Sequence, residues 1–155
     1  MTRNRGQHRS GAESRGRIGL RWVAAVAFVL AGANHFRDPG FYLPVIPEVL
    51  GWPEFWNALV GTAEIAGGVG LLTPRLRRAA AAGLVALLAV LTWVHVDMVV
   101  RPGRSPFGSG TPMWVLWARL PFQLVLIAWV WWAGGLPFHL RTKAPTRGPA
   151  DSEGD

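Results

Sequence analysis

The stretch Ala79–Val100, AAAAGLVALLAVLTWVHVDMVV, holds one carboxylate (Asp97), one histidine (His95) and no lysine or arginine in 22 residues. As a helix it would be about 33 Å long, enough to cross a hydrocarbon core of about 30 Å. A soluble helix would carry polar residues at a 3.6-residue period, and this stretch does not. It reads as a transmembrane span. Basic residues precede it, Arg75, Arg77 and Arg78 in a short turn after Thr73-Pro74, and Arg101-Pro102-Gly103 ends it.

Outward from this span three more appear. Glu54–Leu72 lies just before the basic turn, so short a turn that the two spans must be antiparallel neighbours. Residues 18–35 form a first apolar run, and Met113–Gly134 a fourth, marked near its end by Trp129, Trp131 and Trp132. Between the first two spans, residues 37–54 contain Pro39, Pro44, Pro47 and Pro53 with Phe41, Tyr42 and Trp52. Those prolines exclude a spanning helix and point to a short re-entrant or interfacial segment. The expected fold is therefore all-α: an integral membrane four-helix bundle over residues 18–138. Disordered polar tails are expected at 1–17 and 139–155. A second reading of the first run is a secretory signal, with Ala31-Gly32-Ala33 as a small-residue cleavage site.

Charge placement sets the expected orientation. With the N-terminus inside, the inner segments hold Arg3, Arg5, Arg9, Arg15, Arg17, Arg21, Arg75, Arg77, Arg78, Arg141, Lys143 and Arg147. The outer segments hold only Arg37, Arg101 and Arg104. Positive residues are retained on the cytoplasmic side, so both termini are expected there, in a multi-pass protein of the cell membrane. Arg21, near the start of the first span, is expected to snorkel to the headgroups. The net charge of +7 flanks apolar stretches rather than forming a nucleic-acid stripe, so the expected partner is the lipid bilayer and no nucleic acid. Nine tryptophans against one tyrosine agree with a chain that meets membrane boundaries.

Several chemistries are excluded. With no cysteine there are no disulfides, thiolate metal sites or iron–sulfur clusters in the chain itself. No serine lies inside a span to act as a nucleophile, and Gly67-Gly68-x-Gly70 reads as a helix-packing run rather than a phosphate loop. No H-x-x-x-H or E-x-x-H spacing occurs, so no metal is expected.

Ionisable side chains inside a bilayer cost roughly 2.5–3.5 kcal/mol each on insertion scales, so each needs a reason. The candidates for a polar cluster or ligand-binding site are His35, Glu64, Asp97, Arg119 and Gln123, with Asn34 and His95 second to them. In the orientation above, His35, His95 and Asp97 fall near the outer face, with Glu64 about 15 Å and Arg119 about 10 Å below it. All therefore gather in the outer half of the membrane. Helical periodicity puts Ala24, Ala27, Ala31 and Asn34 on one stripe, with His35 at its edge. It puts Gly61, Glu64 and Gly68 on a second. On the third span Ala79, Ala82, Gly83, Ala86, Val90, Trp93 and Asp97 form a small-residue face expected to pack inward, leaving His95 on the other side with Leu84, Leu88 and Leu91. Arg119 and Gln123 share a face, with Pro121 between them. The sharpest local expectation is a Glu64–Arg119 ion pair with Gln123 and His35 as hydrogen-bond partners. The plainer reading is that these residues only lock four helices into one register.

Three segments carry a family resemblance. Gly32-Ala33-Asn34-His35-Phe36 followed by Pro39, Phe41-Tyr42 and Ile46-Pro47 resembles the first span and loop of the DoxX-like membrane proteins. Gly61-Thr62-Ala63-Glu64-Ile65-Ala66-Gly67-Gly68-Val69-Gly70-Leu71-Leu72, then Pro74 and an arginine-containing turn, resembles their second span. Arg119-Leu120-Pro121-Phe122-Gln123, then Trp129, resembles their fourth. Late in the third span the chain reads Trp93-Val94-His95 where those relatives carry Pro-Ala-Asn. The resemblance covers about residues 18–138. It implies a compact four-helix membrane bundle with His35, Glu64, Arg119 and Gln123 as the family's polar positions. It also implies a link to redox systems, since the family takes its name from a small membrane subunit associated with thiosulfate:quinone oxidoreduction.

The reading that follows is a non-catalytic membrane subunit or anchor of a redox-linked system, rather than an enzyme on its own. It would act with a membrane or redox protein partner, or as a homo-oligomer. One alternative is a quinone-binding component of an oxidoreductase, quinone being the cofactor the residues leave open, since the chain supplies none itself. A second is a small transporter or proton pathway.

Overall fold

The computed structural model describes residues 14–101 and 110–136, and among these every regular element is a helix. Four helices are long and apolar enough to cross a membrane: α1 (Arg15–Arg37), α3 (Pro53–Leu72), α4 (Arg77–Val100) and α5 (Met113–Gly134). Between α1 and α3 the proline-rich segment forms a single helical turn, α2 (Pro39–Tyr42), and two 3-10 turns at Leu43–Val45 and Glu48–Leu50.

Local chemistry explains the boundaries. Ser14 caps α1, its hydroxyl accepting from the Arg17 amide at 3.3 Å. The expected tail 1–17 is thus corrected at its end: residues 15–17 are the first turn of α1, and residues 1–13 lie outside the described residues, as does the expected tail 139–155. Pro53 opens α3, where its missing N–H costs nothing. It follows Gly51 and Trp52, both at positive φ (56° and 41°), and Trp52 is the only described non-glycine residue in that region. Gly135 closes α5 in the left-handed conformation at φ 71°. The Leu136 amide reaches back to the Trp131 carbonyl and the Gly135 amide to that of Trp132, both at 3.2 Å, which is the double closure of a glycine-terminated helix.

The four long helices form a ring in which α1 packs on α3, α3 on α4, α4 on α5 and α5 on α1. This leaves α1 opposite α4 and α3 opposite α5 across the diagonals. Leu71, Leu84, Leu116 and Val130 are the largest fully buried side chains, joined by Ala24, Ala25, Phe28, Ala81 and Leu88. The outer surface is apolar too, with Leu30, Val90, Trp93, Trp114 and Leu124 each more than 60% exposed.

Lipid is as apolar as leucine, so close packing rather than a hydrophobic difference selects the contact faces. The tightest contact is between α1 and α3. A Cβ on Gly32 would sit 2.5 Å from the Gly61 carbonyl oxygen, and one on Gly61 would sit 2.7 Å from Cβ of His35. One on Gly68 would sit 2.7 Å from the Ala25 carbonyl oxygen. These contacts turn α1 by about one residue from the expected stripe. Ala24, Ala25, Phe28, Gly32 and His35 are buried, while Ala27 is exposed and Asn34 only half-buried.

The α4 expectation is reversed except at Asp97, whose side chain is only 14% exposed. Ala79, Ala82, Gly83, Ala86, Val90 and Trp93 face outward, and the buried residues are Ala81, Leu84, Leu88 and Met98. The small residues that matter belong to α3. Leu84 fills the notch at Gly67, where an added Cβ would lie 2.5 Å from its side chain, and Ala80 packs on Gly70.

Arg21 also departs from expectation. It is 3% exposed and donates through Nε to the Ala133 carbonyl at 2.9 Å. Arg17 donates to the Trp132 carbonyl at 2.5 and 3.2 Å and lies over the Trp132 ring at 5.3 Å. Rather than reaching for headgroups, these arginines satisfy the last carbonyls of α5, where a cation also complements the helix dipole.

Candidate functional site

The close crossing of α1 and α3 brings a polar cluster together at the end of the bundle nearest α2. His35, Asn57 and Glu64 are all at most 7% exposed. Asn57, Gly61, Glu64 and Gly68 follow one another at helical spacing on α3, and the glycines let the α1 backbone approach while the polar residues meet it.

The hydrogen bonds fix the imidazole. The Asn57 amide nitrogen donates to the His35 main-chain carbonyl at 2.9 Å. Its Oδ1 is therefore the atom 2.8 Å from His35 Nδ1, and Nδ1 must carry a hydrogen. Nε2 then faces the Glu64 carboxyl, 3.6 Å from Oε2. At 3.6 Å the two groups are within ion-pair range but beyond hydrogen-bond distance. Oε2 of Glu64 is buried and makes no hydrogen bond.

Tyr42 covers the other side. Its ring stacks on His35 with centroids 3.6 Å apart and planes 20° apart, and Phe41 packs edge-on against it at 5.0 Å. The Asn34 amide donates to the Tyr42 hydroxyl at 3.1 Å. The proline-rich segment thus folds an aromatic cover onto the imidazole, as its aromatics suggested in outline but not in detail.

The remaining candidates form a second group between α4 and α5. Gln123 is buried and donates to the Leu88 carbonyl at 2.8 Å, tying the two helices together. The Arg119 guanidinium approaches Met98 Sδ on α4 at 4.0 Å and lies within electrostatic reach of His95. Asp97 meets Arg101 one turn on, at 3.6 Å. The expected Glu64–Arg119 pairing gives way to Glu64–His35, because α3 and α5 stand on a diagonal of the ring while α1 and α3 are in contact. Among the described residues no group of three or more histidine and carboxylate side chains is placed to hold a metal ion.

Two residues of the cluster, Asn57 and Tyr42, were not among the sequence candidates. Asn57 had a legible signal: it lies four residues before Gly61 and seven before Glu64, on the same face. Tyr42 had none, since a loop residue's stacking partner depends on how the loop folds back.

Clefts open elsewhere among the described residues. One of about 760 Å³ opens at the end where α1 begins, beside the α3–α4 turn and the end of α5. Another, about 320 Å³, is an apolar groove between α3 and α4. Neither is lined by a residue of the His35 cluster.

No curated protein and no solved structure matches the chain. A family described as a domain of unknown function (DUF8561) matches residues 24–134, from the buried face of α1 to the end of α5. The chain is a member of that DUF8561 family.

Proposed function

We propose that the chain is a DoxX-like protein of the cell membrane, with both termini cytoplasmic, and that it serves as a non-catalytic subunit or anchor of a redox-linked system. The observation carrying this reading is the use made of the buried polar groups. Asn57 and His35 join α1 to α3, Gln123 joins α5 to α4, and Asn34 holds Tyr42 as a cover. Such groups fix one arrangement of helices, as a docking scaffold requires. The resemblance in the segments around His35, Glu64 and Arg119 supports the redox link.

The orientation is supported by Arg15, Arg17, Arg21, Arg75, Arg77 and Arg78 at one end of the bundle, against Arg37 and Arg101 at the other among the described residues. It is readily tested because the chain has no cysteine. Val49 and Leu76 are 91% and 56% exposed and lie at opposite ends. A membrane-impermeant maleimide on intact cells is expected to label Val49→Cys and to spare Leu76→Cys until the membrane is opened; the reverse pattern would invert the topology.

The subunit role is tested by purification in mild detergent at native abundance. A stoichiometric membrane or redox partner is expected to accompany the chain. Isolation always alone, or only as a homo-oligomer, counts against it.

A second reading, a quinone-binding component, draws on one observation. His35 Nε2 and Glu64 Oε2 stand 3.6 Å apart in the buried cluster, and Oε2 makes no hydrogen bond. A titratable imidazole beside a carboxyl oxygen with no hydrogen bond suits a carrier whose oxygens gain and lose protons on reduction. Its test is the quinone content of the purified protein before and after Glu64→Gln.

A further inference from the structure

We propose that the cleft at the α3–α4 turn is a binding site for a phosphate-bearing anion, and that its ligand is the headgroup of an anionic membrane lipid. Four arginines line it, Arg17, Arg75, Arg77 and Arg78, together with Trp132 and Leu136. No carboxylate is among its lining residues. The described carboxylates lie elsewhere, Asp38, Glu48 and Glu54 in the α1–α3 connection and at the start of α3, Glu64 and Asp97 within α3 and α4. The acidic side chains among the described residues therefore lie away from this end.

The arginines play different parts. Arg17 is committed to the Trp132 carbonyl and forms a fixed wall. Arg75 and Arg78 are exposed on the facing turn. Their guanidinium groups present planar forks, which match phosphate oxygens two at a time. Charge retained only to hold a loop in the cytoplasm would need neither a cleft nor a fixed geometry. The apolar rim favours a lipid over free phosphate. Trp132, 39% exposed, ends a span and sits where indoles meet the headgroup layer, and Leu136 continues the same rim. A lipid could place its phosphate among the arginines and its glycerol and chains along these two residues.

The test uses the full chain in detergent micelles, titrated separately with phosphatidylglycerol, phosphatidylcholine and inorganic phosphate, with bound ligand counted by native mass spectrometry. Phosphatidylglycerol is expected to bind at one saturable site at least about tenfold more tightly than phosphatidylcholine, since each basic residue near an anionic lipid contributes appreciably. Arg75→Gln/Arg78→Gln is expected to remove that preference while leaving the melting temperature in lipid-free detergent unchanged. Arg15→Gln alters an exposed arginine at the same end but outside the cleft, and is expected to keep the preference. Equal binding of the two lipids to the wild type overturns the proposal, as does a preference that survives in the double variant or is lost equally in Arg15→Gln. Displacement of phosphatidylglycerol by millimolar inorganic phosphate overturns the lipid assignment. If the double variant does not fold, Arg78→Gln alone is read by the same criteria.

Discussion

Gly32→Val is expected to destabilise the bundle by about 3 kcal/mol, the upper part of the range for forcing extra atoms into a packed interior. Two of the three nearest atoms in the way are backbone, the third being Ile65 Cγ1 at 2.8 Å. A Cβ at position 32 would lie 2.5 Å from the Gly61 carbonyl oxygen and 2.9 Å from the Ile65 amide nitrogen. The Ile65 side chain could rotate aside; the two backbone atoms move only if α1 and α3 separate along the crossing. His35 sits one turn further along α1, so the same movement would stretch its 2.8 Å bond to Asn57 and its approach to Glu64. The control is Gly83→Val on α4, where an added Cβ meets nothing within 4 Å and stability is expected to stay close to wild type. Thermal unfolding of both variants in the same detergent decides the matter. Equal melting temperatures would mean that α1 and α3 do not cross at Gly32 and Gly61.

The four spans were legible in the sequence to within three residues at every end, because apolar runs bounded by arginine and proline are a strong and local signal. The faces were not. In a soluble bundle the polar side of each helix marks what faces out; here both sides are apolar, and hydrophobic period carries no such mark. Small-residue stripes were the substitute. They succeeded on α3, where Gly61, Glu64 and Gly68 all turn inward, and failed on α4, where the alanine face is exposed and Leu84 enters a glycine notch on α3 instead. The order of helices around the ring was also unreadable. A shared depth for Glu64 and Arg119 suggested contact, but contact needs adjacency, and α3 and α5 are diagonal. Arg21 shows the same limit. An arginine near a span end normally reaches for the headgroups, and nothing local reveals that the Ala133 carbonyl at the end of α5 lies 2.9 Å away. Likewise the polar candidates formed not one cluster but two, His35 with Glu64 on one side of the ring and Arg119, Gln123, His95 and Asp97 on the other.

Glu64 allows the scaffold and quinone readings to be separated, because two substitutions change different properties of one site. Glu64→Leu removes the carboxyl 3.6 Å from His35 Nε2 and leaves that ring nitrogen facing a leucine, with Nδ1 still held by Asn57. An orphaned polar group of this kind costs about 1–3 kcal/mol, so a clearly lowered melting temperature is expected. Glu64→Gln keeps the shape and offers an amide N–H to the same nitrogen, so stability is expected within about 1 kcal/mol of wild type. What Gln cannot do is gain and lose a proton. A scaffold needs only the fastening and should retain its partner in Glu64→Gln while losing it in Glu64→Leu. A quinone site needs the proton and should lose bound quinone in Glu64→Gln with the fold intact. Quinone content unchanged in Glu64→Gln, and in Arg119→Leu on the opposite side of the ring, would remove the quinone reading. Glu64→Leu as stable as wild type would mean that the carboxyl and imidazole do not depend on each other, and the fastening role assigned to the pair would fall with it.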